Sequence, residues 1–331
     1  MTHFSDLIDV AAERMGGATL VANDEFFAPK ENLLKAGAAE WREGVYTERG
    51  KWMDGWETRR RRTPGHDWCI VRLGVPSRVR GVVVDTSFFR GNFPEACSLD
   101  ACELEGPVSA EVLAADVTLP WIEILPRVAL RGDALNALPI EHDGRCTHLR
   151  LNIHPDGGVA RLRVHGEPRP GQRVLSPERD VDLAAAEHGG LVVVCSDMFF
   201  GHRQNLIMPG RSTHMGDGWE TKRRRGPGHD WTVVRLAARG TIHRIEIDTD
   251  HFKGNAPESA SVETRDGDAD PEQLGAETGW EPLLPRTRLQ PHARHIFDEL
   301  APARPATHAR LRIWPDGGVA RLRLVGRVEV A

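Results

Sequence analysis

Short runs in which apolar and polar residues alternate recur along the whole chain, and Gly, Pro, Asn or Asp separates them. Examples are residues 69–73 (CIVRL), 79–86 (VRGVVVDT) and 149–154 (LRLNIH). Alternation with a period of two is typical of strands that bury one face, and regularly spaced turn residues are typical of antiparallel sheets. Long helical periodicities and alternating strand–helix units are absent from the sequence. The pattern therefore predicts an all-β protein, either a sandwich or a jelly roll.

The same succession of segments occurs twice. Residues 54–73 and 217–236 are identical at 16 of 20 positions. The segments PDGGVARLR at 155–163 and 315–323 are identical throughout. A self-match that keeps its order along the chain indicates a tandem duplication.

The duplication predicts the domain organisation. The first copy opens at Asp9, and 331 residues are enough for two cores of ordinary size. We therefore predict two similar β-sandwich domains, residues 1–168 and 169–331. A polar, proline-rich segment at residues 167–179 is predicted to link them.

Three local patterns carry further predictions. An Asp, an Ala-rich stretch and a Gly pair at residues 9–17 and 182–190 predict a capped helical turn that leads into a strand. The PDGG segment at 155–158 predicts a hairpin connection. Residues 35–53 of the first copy correspond to the shorter segment 208–216 of the second, which indicates a ten-residue insertion. Such insertions form surface loops, often near functional sites.

Composition narrows the class of protein. The chain is 40% hydrophobic and 27% charged, with a formal net charge of −5. It has no apolar run long enough to cross a membrane and no secretory signal pattern at its start. Its five cysteines lack CxxC spacing and do not repeat between the halves. We expect reduced thiols and a cytoplasmic protein.

The repeated block combines an unusual amount of polar chemistry. Each copy holds two acids before its cations, four consecutive cations, a His–Asp pair and two Trp. The Trp residues are interpreted as core or interface packing (Trp56, Trp68, Trp219 and Trp231). The Asp–Gly–Gly of PDGG is interpreted as turn geometry. Two further pairs are left open between turn structure and a place in the site (Asp85 with Asp248, and Asn92 with Asn255).

These motifs resemble the allantoicase family. The resemblance rests on KWMDGWETRRRRTPGHDW from residue 51, DGWETKRRR from 217, GNAPES from 254 and both PDGGVARLR segments. It extends from about Asp9 to Gly326. It implies two galactose-binding-like jelly rolls per chain, a homo-oligomer, and the hydrolysis of allantoate to ureidoglycolate and urea in purine breakdown.

The chemistry of that reaction suggests roles for the repeated side chains. Allantoate carries a carboxylate and two ureido groups on one carbon, so its enzyme needs a carboxylate anchor, a proton donor for a poor leaving group, and a base for water. The candidate catalytic residues are Glu57, His66, Asp67, Glu220, His229 and Asp230. The candidate substrate-binding residues are Arg59, Arg60, Arg61, Lys222, Arg223, Arg224, Lys253 and Asn255. For any single Arg, a purely structural ion pair is an equal alternative.

Other ligands and functions are weighed against this interpretation. His251 near His229 and Asp230 could bind a divalent metal such as manganese, but no HxH or HExxH spacing occurs, so no metal ligand is assigned. The cation runs stand beside acids in a net-acidic chain, which disfavours nucleic acid. A non-enzymatic tandem module that binds sugars, or a structural oligomer, remains the alternative function. The sequence leaves open which repeat, or which interface, holds the site.

Overall fold

The computed structural model describes residues 3–329, except for the side chains of residues 172 and 173. The chain folds into two compact units, Met1–Arg169 and Pro170–Ala331. The strands of the first unit are β1 Ile8–Asp9, β2 Ala18–Ala22, β3 Tyr46–Thr47, β4 Gly50–Lys51, β5 Trp56–Glu57, β6 Asp67–Asp85, β7 Ala96–Cys102, β8 Ile122–Ala129, β9 Leu135–Pro139, β10 Cys146–His154, β11 Gly158–Val159 and β12 Arg161–Pro168.

The second unit repeats this order without counterparts of β3 and β4. Its strands are β13 Val181–Asp182, β14 Leu191–Cys195, β15 Trp219–Glu220, β16 Asp230–Asp248, β17 Ser259–Arg265, β18 Glu281–Arg288, β19 Arg294–Phe297, β20 Ala306–Trp314, β21 Gly318–Val319 and β22 Arg321–Val328. One short α-helix occurs in each unit, α1 Ala110–Ala115 and α2 Pro271–Gly275. Turns of 3₁₀ helix span Phe4–Asp6, Glu13–Met15, Lys30–Leu34, Gln172–Leu175, Ala186–His188, Arg203–Ile207 and Met215–Asp217. No helix within residues 3–329 has the length and apolar character needed to cross a bilayer.

A single 19-residue strand organises each unit. In the first unit the sheet order is β1-β12-β6-β10-β7-β8, and β2 and β9 also pair with β6. The first half of β6 is paired with β2 and β10, and its second half with β9 and β12. The second unit has the same topology around β16. The long strand therefore belongs to both layers of a sandwich, which confirms the predicted all-β, repeated fold.

The alternation seen in the sequence is the burial pattern of these strands. Along β6, the buried residues Val75, Ser77 and Val79 alternate with partly exposed neighbours. Full burial of a Val or Leu side chain contributes roughly 1.5–3 kcal/mol to stability. The largest fully buried side chains include Trp56 and Trp219, so these two are core residues as predicted.

The hairpin predicted for PDGG is wrong. Strands β10 and β12, which flank it, both pair with β6 and not with each other. Between them lies β11, which pairs with β5 of the repeated block. The Gly157 carbonyl accepts a hydrogen bond from the Thr58 N–H at 3.1 Å. The backbone groups of this segment therefore bond to the repeated block and form no hairpin. The segment lies between β10, which pairs with the first half of β6, and β12, which pairs with the second half.

The turn predicted at residues 9–17 is present, with a different cap. A 3₁₀ turn spans Glu13–Met15, and Gly16 ends it with φ 93° before β2 begins. Asp9 lies in β1, where its Oδ1 accepts from the Ala11 and Val164 N–H groups at 3.2 and 3.0 Å. The carboxylate therefore joins β1 to β12 and does not cap the helical turn. The predicted linker also begins too early, because residues 167 and 168 belong to β12.

Candidate active site

In each unit the repeated block forms one corner of the sandwich. The two-residue strand β5 pairs with β11 and bridges to Ala28 on its other side. Because successive strand residues point to opposite faces, Trp56 enters the core while Glu57 faces outward. The Trp56 indole N–H donates to the Asp24 carbonyl at 2.8 Å, which fixes the start of the block. The second unit repeats this arrangement in β15 and β21.

The outward Glu of each corner is held by an Asn from the Gly-Asn turn. Asn92 Nδ2 donates to Glu57 Oε1 at 2.7 Å, and Asn255 Nδ2 donates to Glu220 Oε1 at 2.6 Å. Burial raises the pKa of Glu57, and the hydrogen bond from Asn92 partly offsets this rise. Glu57 is therefore a carboxylate that takes up a proton more readily than an exposed Glu.

The four-cation run divides into paired and unpaired side chains. Arg59 Nε lies 2.7 Å from Asp24 Oδ2, and Arg61 Nη1 lies 2.7 Å from Asp67 Oδ1. Burial favours a higher pKa for Asp24, but hydrogen bonds from the Arg59 and Phe26 N–H groups and from the Arg59 guanidinium lower it. Within residues 3–329, Arg60 makes no hydrogen bond or ion pair. Arg62 likewise has no partner in this part of the chain, so Arg60 and Arg62 are the two cations of the cavity lining that are free to bind an anion.

The second copy of the run repeats this division. Lys222 Nζ lies 3.5 Å from Asp197, and Arg224 Nη2 lies 2.5 Å from Asp230 Oδ1. Arg223 has no acid or hydrogen-bond partner in the described part of the chain. Of the predicted binding residues, two in each copy are therefore engaged in ion pairs, as the structural alternative anticipated.

The PDGG segment positions both runs. Asp156 Oδ2 accepts from the Arg61 N–H at 2.7 Å, and Asp316 Oδ2 accepts from the Arg224 N–H at 2.7 Å. Gly157 has φ 141°, and a Cβ there would lie 2.8 Å from the Asn92 carbonyl oxygen. Only glycine permits this close approach of the two turns, so the turn that carries Asn92 can pack beside the cation run.

Cavities at the two corners contain these groups. A cavity of about 930 Å³ in the first unit is lined by residues that include Phe27, Glu57, Thr58, Arg59, Arg60, Arg61, Arg62, Asn92 and Asp156. A cavity of about 620 Å³ in the second unit is lined by residues that include Phe200, Glu220, Thr221, Arg223, Asn255 and Asp316. Both corners therefore offer a carboxylate, an amide and an unpaired guanidinium to one small polar ligand.

The His–Asp pairs lie elsewhere. Asp67 and Asp230 are buried in their ion pairs with the Arg run. The His66 ring packs against His154 with centroids 4.8 Å apart, and it lines neither cavity that contains Glu57. His229 Nε2 accepts from Arg312 Nε at 3.0 Å. The structure thus separates the His side chains from the Glu–Asn corners.

Burial and the Arg312 guanidinium lower the pKa of His229. Lys253 is exposed on the Gly-Asn turn and does not line the second-unit cavity. His251, considered as a metal ligand, is engaged with the loop instead, because its Nε2 lies 3.0 Å from the Ser212 carbonyl. In the described chain no group of three or more His, Cys, Asp or Glu side chains is arranged to hold a metal ion.

The sequence left open whether Asp85 and Asp248 form turns or line the site, and their contacts decide this. Asp85 Oδ1 accepts from the Ser87 N–H at 2.8 Å, and Asp248 Oδ1 accepts from the Asp250 N–H at 2.8 Å. Both carboxylates therefore cap the turns that follow the long strands.

Comparison with known proteins is decisive on the family. The family model of the allantoicase repeat matches residues 8–169 and again residues 181–329. The chain belongs to the allantoicase family. It is 48% identical over 331 residues to a probable allantoicase of Pseudomonas aeruginosa strain UCBPP-PA14, covering 99% of this chain and 98% of that protein. It is 50% identical over 327 residues to a probable allantoicase of Nocardia farcinica, covering 98% and 95%. The crystal structure of allantoicase from Saccharomyces cerevisiae matches with TM-score 0.78 and 34% identity, covering 96% and 92%. The resemblance inferred from the motifs is confirmed.

For this allantoicase-family chain, the sequence missed several residues at the first corner. Trp41, Lys51 and Met53 of the inserted segment line a second cavity beside Glu57, and Arg161 of PDGGVARLR holds that segment in place. The ten-residue length difference was a signal for the loop. Nothing in the pattern of the loop itself indicated which of its side chains face the corner.

Proposed function

We propose that this protein is an allantoicase, which hydrolyses allantoate to ureidoglycolate and urea in purine breakdown. Membership of the family over both repeats supports the reaction. The observation that carries the chemistry is the Glu57 carboxylate, held by Asn92, in one cavity with the unpaired Arg60. The reaction replaces one ureido group by hydroxyl at the carbon that bears the carboxylate.

Arg60 is suited to anchor the substrate carboxylate. A guanidinium binds a carboxylate through two parallel N–H···O bonds, and its geometry favours this over a point charge. Arg59 and Arg61 are already paired with Asp24 and Asp67, so their charges are compensated within the protein. Loss of one charged hydrogen bond costs about 1.5–3 kcal/mol, which corresponds to roughly 10- to 150-fold weaker binding.

Glu57 is suited to transfer the proton. Its carboxylate removes a proton from water as the water oxygen bonds to the substrate carbon. The carbon–nitrogen bond breaks, and the same proton passes to the departing nitrogen, so urea leaves as a neutral molecule. A carboxyl whose pKa is raised by burial serves both steps near neutral pH better than an exposed one.

The second corner repeats this set of side chains in Glu220, Asn255 and Arg223. The geometry of these three residues alone does not distinguish the two corners. Asp67 and Asp230 act in this proposal through the Arg residues that they position. His66 and His229 line none of the cavities that contain Glu57 or Glu220, and we assign them no contact with substrate.

A non-enzymatic module that binds sugars is not favoured. Relatives that match over 98% and 95% of their length are named probable allantoicases, and both corners of this chain retain an acid, an amide and an unpaired cation. A binding module needs no such retained acid in each repeat.

Urea release from allantoate tests the proposal. Purified protein is incubated with allantoate, and urea is measured by urease-coupled ammonia formation. The control is the double variant Glu57→Gln with Glu220→Gln, which keeps shape and removes both carboxylates. We expect urea from the wild type and a loss of at least about 100-fold in the double variant. Absence of urea with the wild type would reject the function.

The same assay addresses metal dependence, which the sequence leaves open. Protein is treated with a chelator and assayed, and manganese is then added back. Activity that survives chelation would indicate that the side chains suffice. Activity that is lost on chelation and restored by manganese would require a metal ion. Its ligands would then include the substrate, because no group of three or more His, Cys, Asp or Glu side chains in the described residues is arranged to hold one.

Three further proposals concern the protein as a whole. We propose that it is cytoplasmic, which its free cysteines support, four of them buried. We propose a homo-oligomer, which light scattering of the purified protein would test. We propose a domain boundary between residues 168 and 169. Residues 1, 2, 330 and 331, at the outer ends of the two domains, lie outside the described residues. Separate expression of the halves and measurement of cooperative unfolding would test that boundary.

A further inference from the structure

The inserted segment of the first unit is built into the corner and not left in solvent. Its strands β3 and β4 form a two-stranded hairpin, with Tyr46 opposite Lys51. Arg161 Nε donates to the Gly37 carbonyl at 3.0 Å, and Asp54 Oδ2 accepts from the Glu40 N–H at 3.0 Å. The start of the segment is therefore tied to the buried Asp54–Arg161 pair.

The segment supplies an aromatic and cationic wall. Lys51 Nζ lies 4.1 Å from the centre of the Trp41 ring. The Trp41 ring in turn lies 5.9 Å, between centroids, from Phe88 of the corner. Lys51 has no acid partner within the described residues, so its ammonium donors are available to a ligand.

This wall encloses a second cavity beside the first. The cavity, here called the loop chamber, has a volume of about 570 Å³, and its lining includes Trp41, Lys51, Met53, Glu57, Phe88 and Asn92. Glu57 and Asn92 also line the cavity that contains Arg60. The carboxylate thus faces two adjoining spaces. One contains the unpaired Arg60 guanidinium, and the other contains an indole, the Lys51 ammonium and the Arg90 guanidinium, which is paired with Asp133.

In the second unit a shorter segment, residues 208–216, contacts the corresponding corner. Met215 Sδ lies 3.3 Å from Asn255 Nδ2, the partner of Glu220. His251, which replaces Phe88, bonds through Nε2 to the Ser212 carbonyl at 3.0 Å. Residues 208–216 contain neither Trp nor Lys. The cavity that contains Glu220, Asn255 and Arg223 is lined by no residue of this segment.

We propose that turnover takes place at the first corner alone, where Trp41 and Lys51 bind one ureido group of the substrate in the loop chamber. This inference rests on the proposed allantoicase function. A substrate with a carboxylate and two ureido groups needs three subsites around one carbon. Arg60 provides the first, the Glu57–Asn92 pair the second, and the loop chamber the third. A ureido group packs against the Trp41 indole, and the Lys51 ammonium donates to its carbonyl oxygen.

The electrostatics of the corner agree with this geometry. Glu57 lies deep between the two cavities, and burial raises its pKa, which suits a group that must both accept and release a proton. The second corner would hold a carboxylate through Arg223 but would leave one ureido group without a subsite. Binding there is expected to be unproductive.

The first test compares the two carboxylates in the full-length protein. Glu57→Gln is expected to lower kcat/KM for allantoate by about 10²- to 10⁴-fold, and Glu220→Gln is expected to keep more than half of wild-type turnover. Loss of more than half of turnover in Glu220→Gln, or its retention in Glu57→Gln, overturns the inference. Wild-type protein that releases no urea rejects the function itself, so the two failures are distinguishable.

The second test addresses the loop chamber. Lys51→Met is expected to raise KM for allantoate about 10-fold with kcat changed less than threefold, and Lys51→Arg to restore most of the affinity. Trp41→Ala is expected to raise KM about 3- to 10-fold. The matched control is Trp52→Ala, because Trp52 lies in the same loop, packs under Arg42 and lines no part of the chamber. An unchanged KM in both Lys51→Met and Trp41→Ala, or an equal rise in Trp52→Ala, contradicts the role of the chamber.

Discussion

The buried ion pair that anchors the inserted loop allows a quantitative prediction. Asp54 and Arg161 are 6% and 3% exposed, and Arg161 Nη2 lies 2.6 Å from Asp54 Oδ2. The substitution Asp54→Asn keeps the size of the side chain but leaves the guanidinium without its counterion. Removal of one partner of a buried pair typically costs about 3–5 kcal/mol. We expect about 3 kcal/mol, since backbone carbonyls of Gly37, Ala38 and Ala160 continue to accept from Arg161.

The pH dependence of the unfolding free energy tests the same ion pair. Burial favours a higher pKa for Asp54, but the hydrogen bond and charge of Arg161, with the Glu40 N–H, lower it below its ordinary value. The stabilisation from its ionisation is therefore complete above the unfolded-state pKa, about 3.9, and is lost as pH falls through the lower folded-state pKa. Asp54→Asn should remove this part of the acid dependence.

Guanidinium unfolding followed by Trp fluorescence measures the change in stability, and hydrogen exchange locates it. Asp54→Asn should speed exchange in residues 35–53 and leave residues 208–216 unaffected. The matched variant is Asp217→Asn, whose partner Arg321 lies 2.9 Å away in the second unit, and it should show the reverse. A change in unfolding free energy below about 0.5 kcal/mol, the range of ordinary surface substitutions, would refute the anchoring role of the pair.

Three other variants separate binding, proton transfer and structure at the first corner. Asn92→Ala removes a hydrogen bond that favours ionised Glu57, so the pKa of Glu57 should rise and the acid limb of kcat/KM should move to higher pH; a shift to lower pH would contradict the assigned contact. Arg60→Met should raise KM about 10- to 150-fold and change the unfolding free energy by less than about 0.5 kcal/mol, and a normal KM would remove Arg60 as the anchor. Arg61→Met leaves the buried Asp67 carboxylate without its cation and should destabilise the protein by about 3 kcal/mol. Equal stability of the Arg60→Met and Arg61→Met variants would contradict the assigned ion pair.

Much of the fold could be predicted because its cause is local. Alternating burial along β6 and β16 is imposed by strand geometry, so the same alternation is visible in the sequence. Duplication made the prediction stronger, since each strand pattern appears twice in the same order. The PDGG segment shows the limit: its residues suit a hairpin turn, but its partner is chosen by β5, which is distant in the chain.

The candidate site was predicted as a region and less well as a set of side chains. The block that contains Glu57 and the Arg run does form a cavity wall. Yet Arg60 and Arg61 are adjacent residues of one type. Contacts with Asp67 and with the distant Asp156 make Arg61 structural and leave Arg60 free. The importance of Asn92 likewise depends on a turn that packs against the block from 35 residues away in the sequence.

The sequence alone determined the all-β character, the duplication and the family, because periodic burial and repeated motifs are properties of neighbouring residues. Only the tertiary structure decided which acids neutralise which cations, since pairs such as Arg59–Asp24 and Arg161–Asp54 join segments far apart in the chain. It also decided that the inserted loop folds back over one Glu, whereas a shorter segment covers its twin. The longer loop makes the first corner different from the second because the loop is held in place there. The buried Asp54–Arg161 pair holds it.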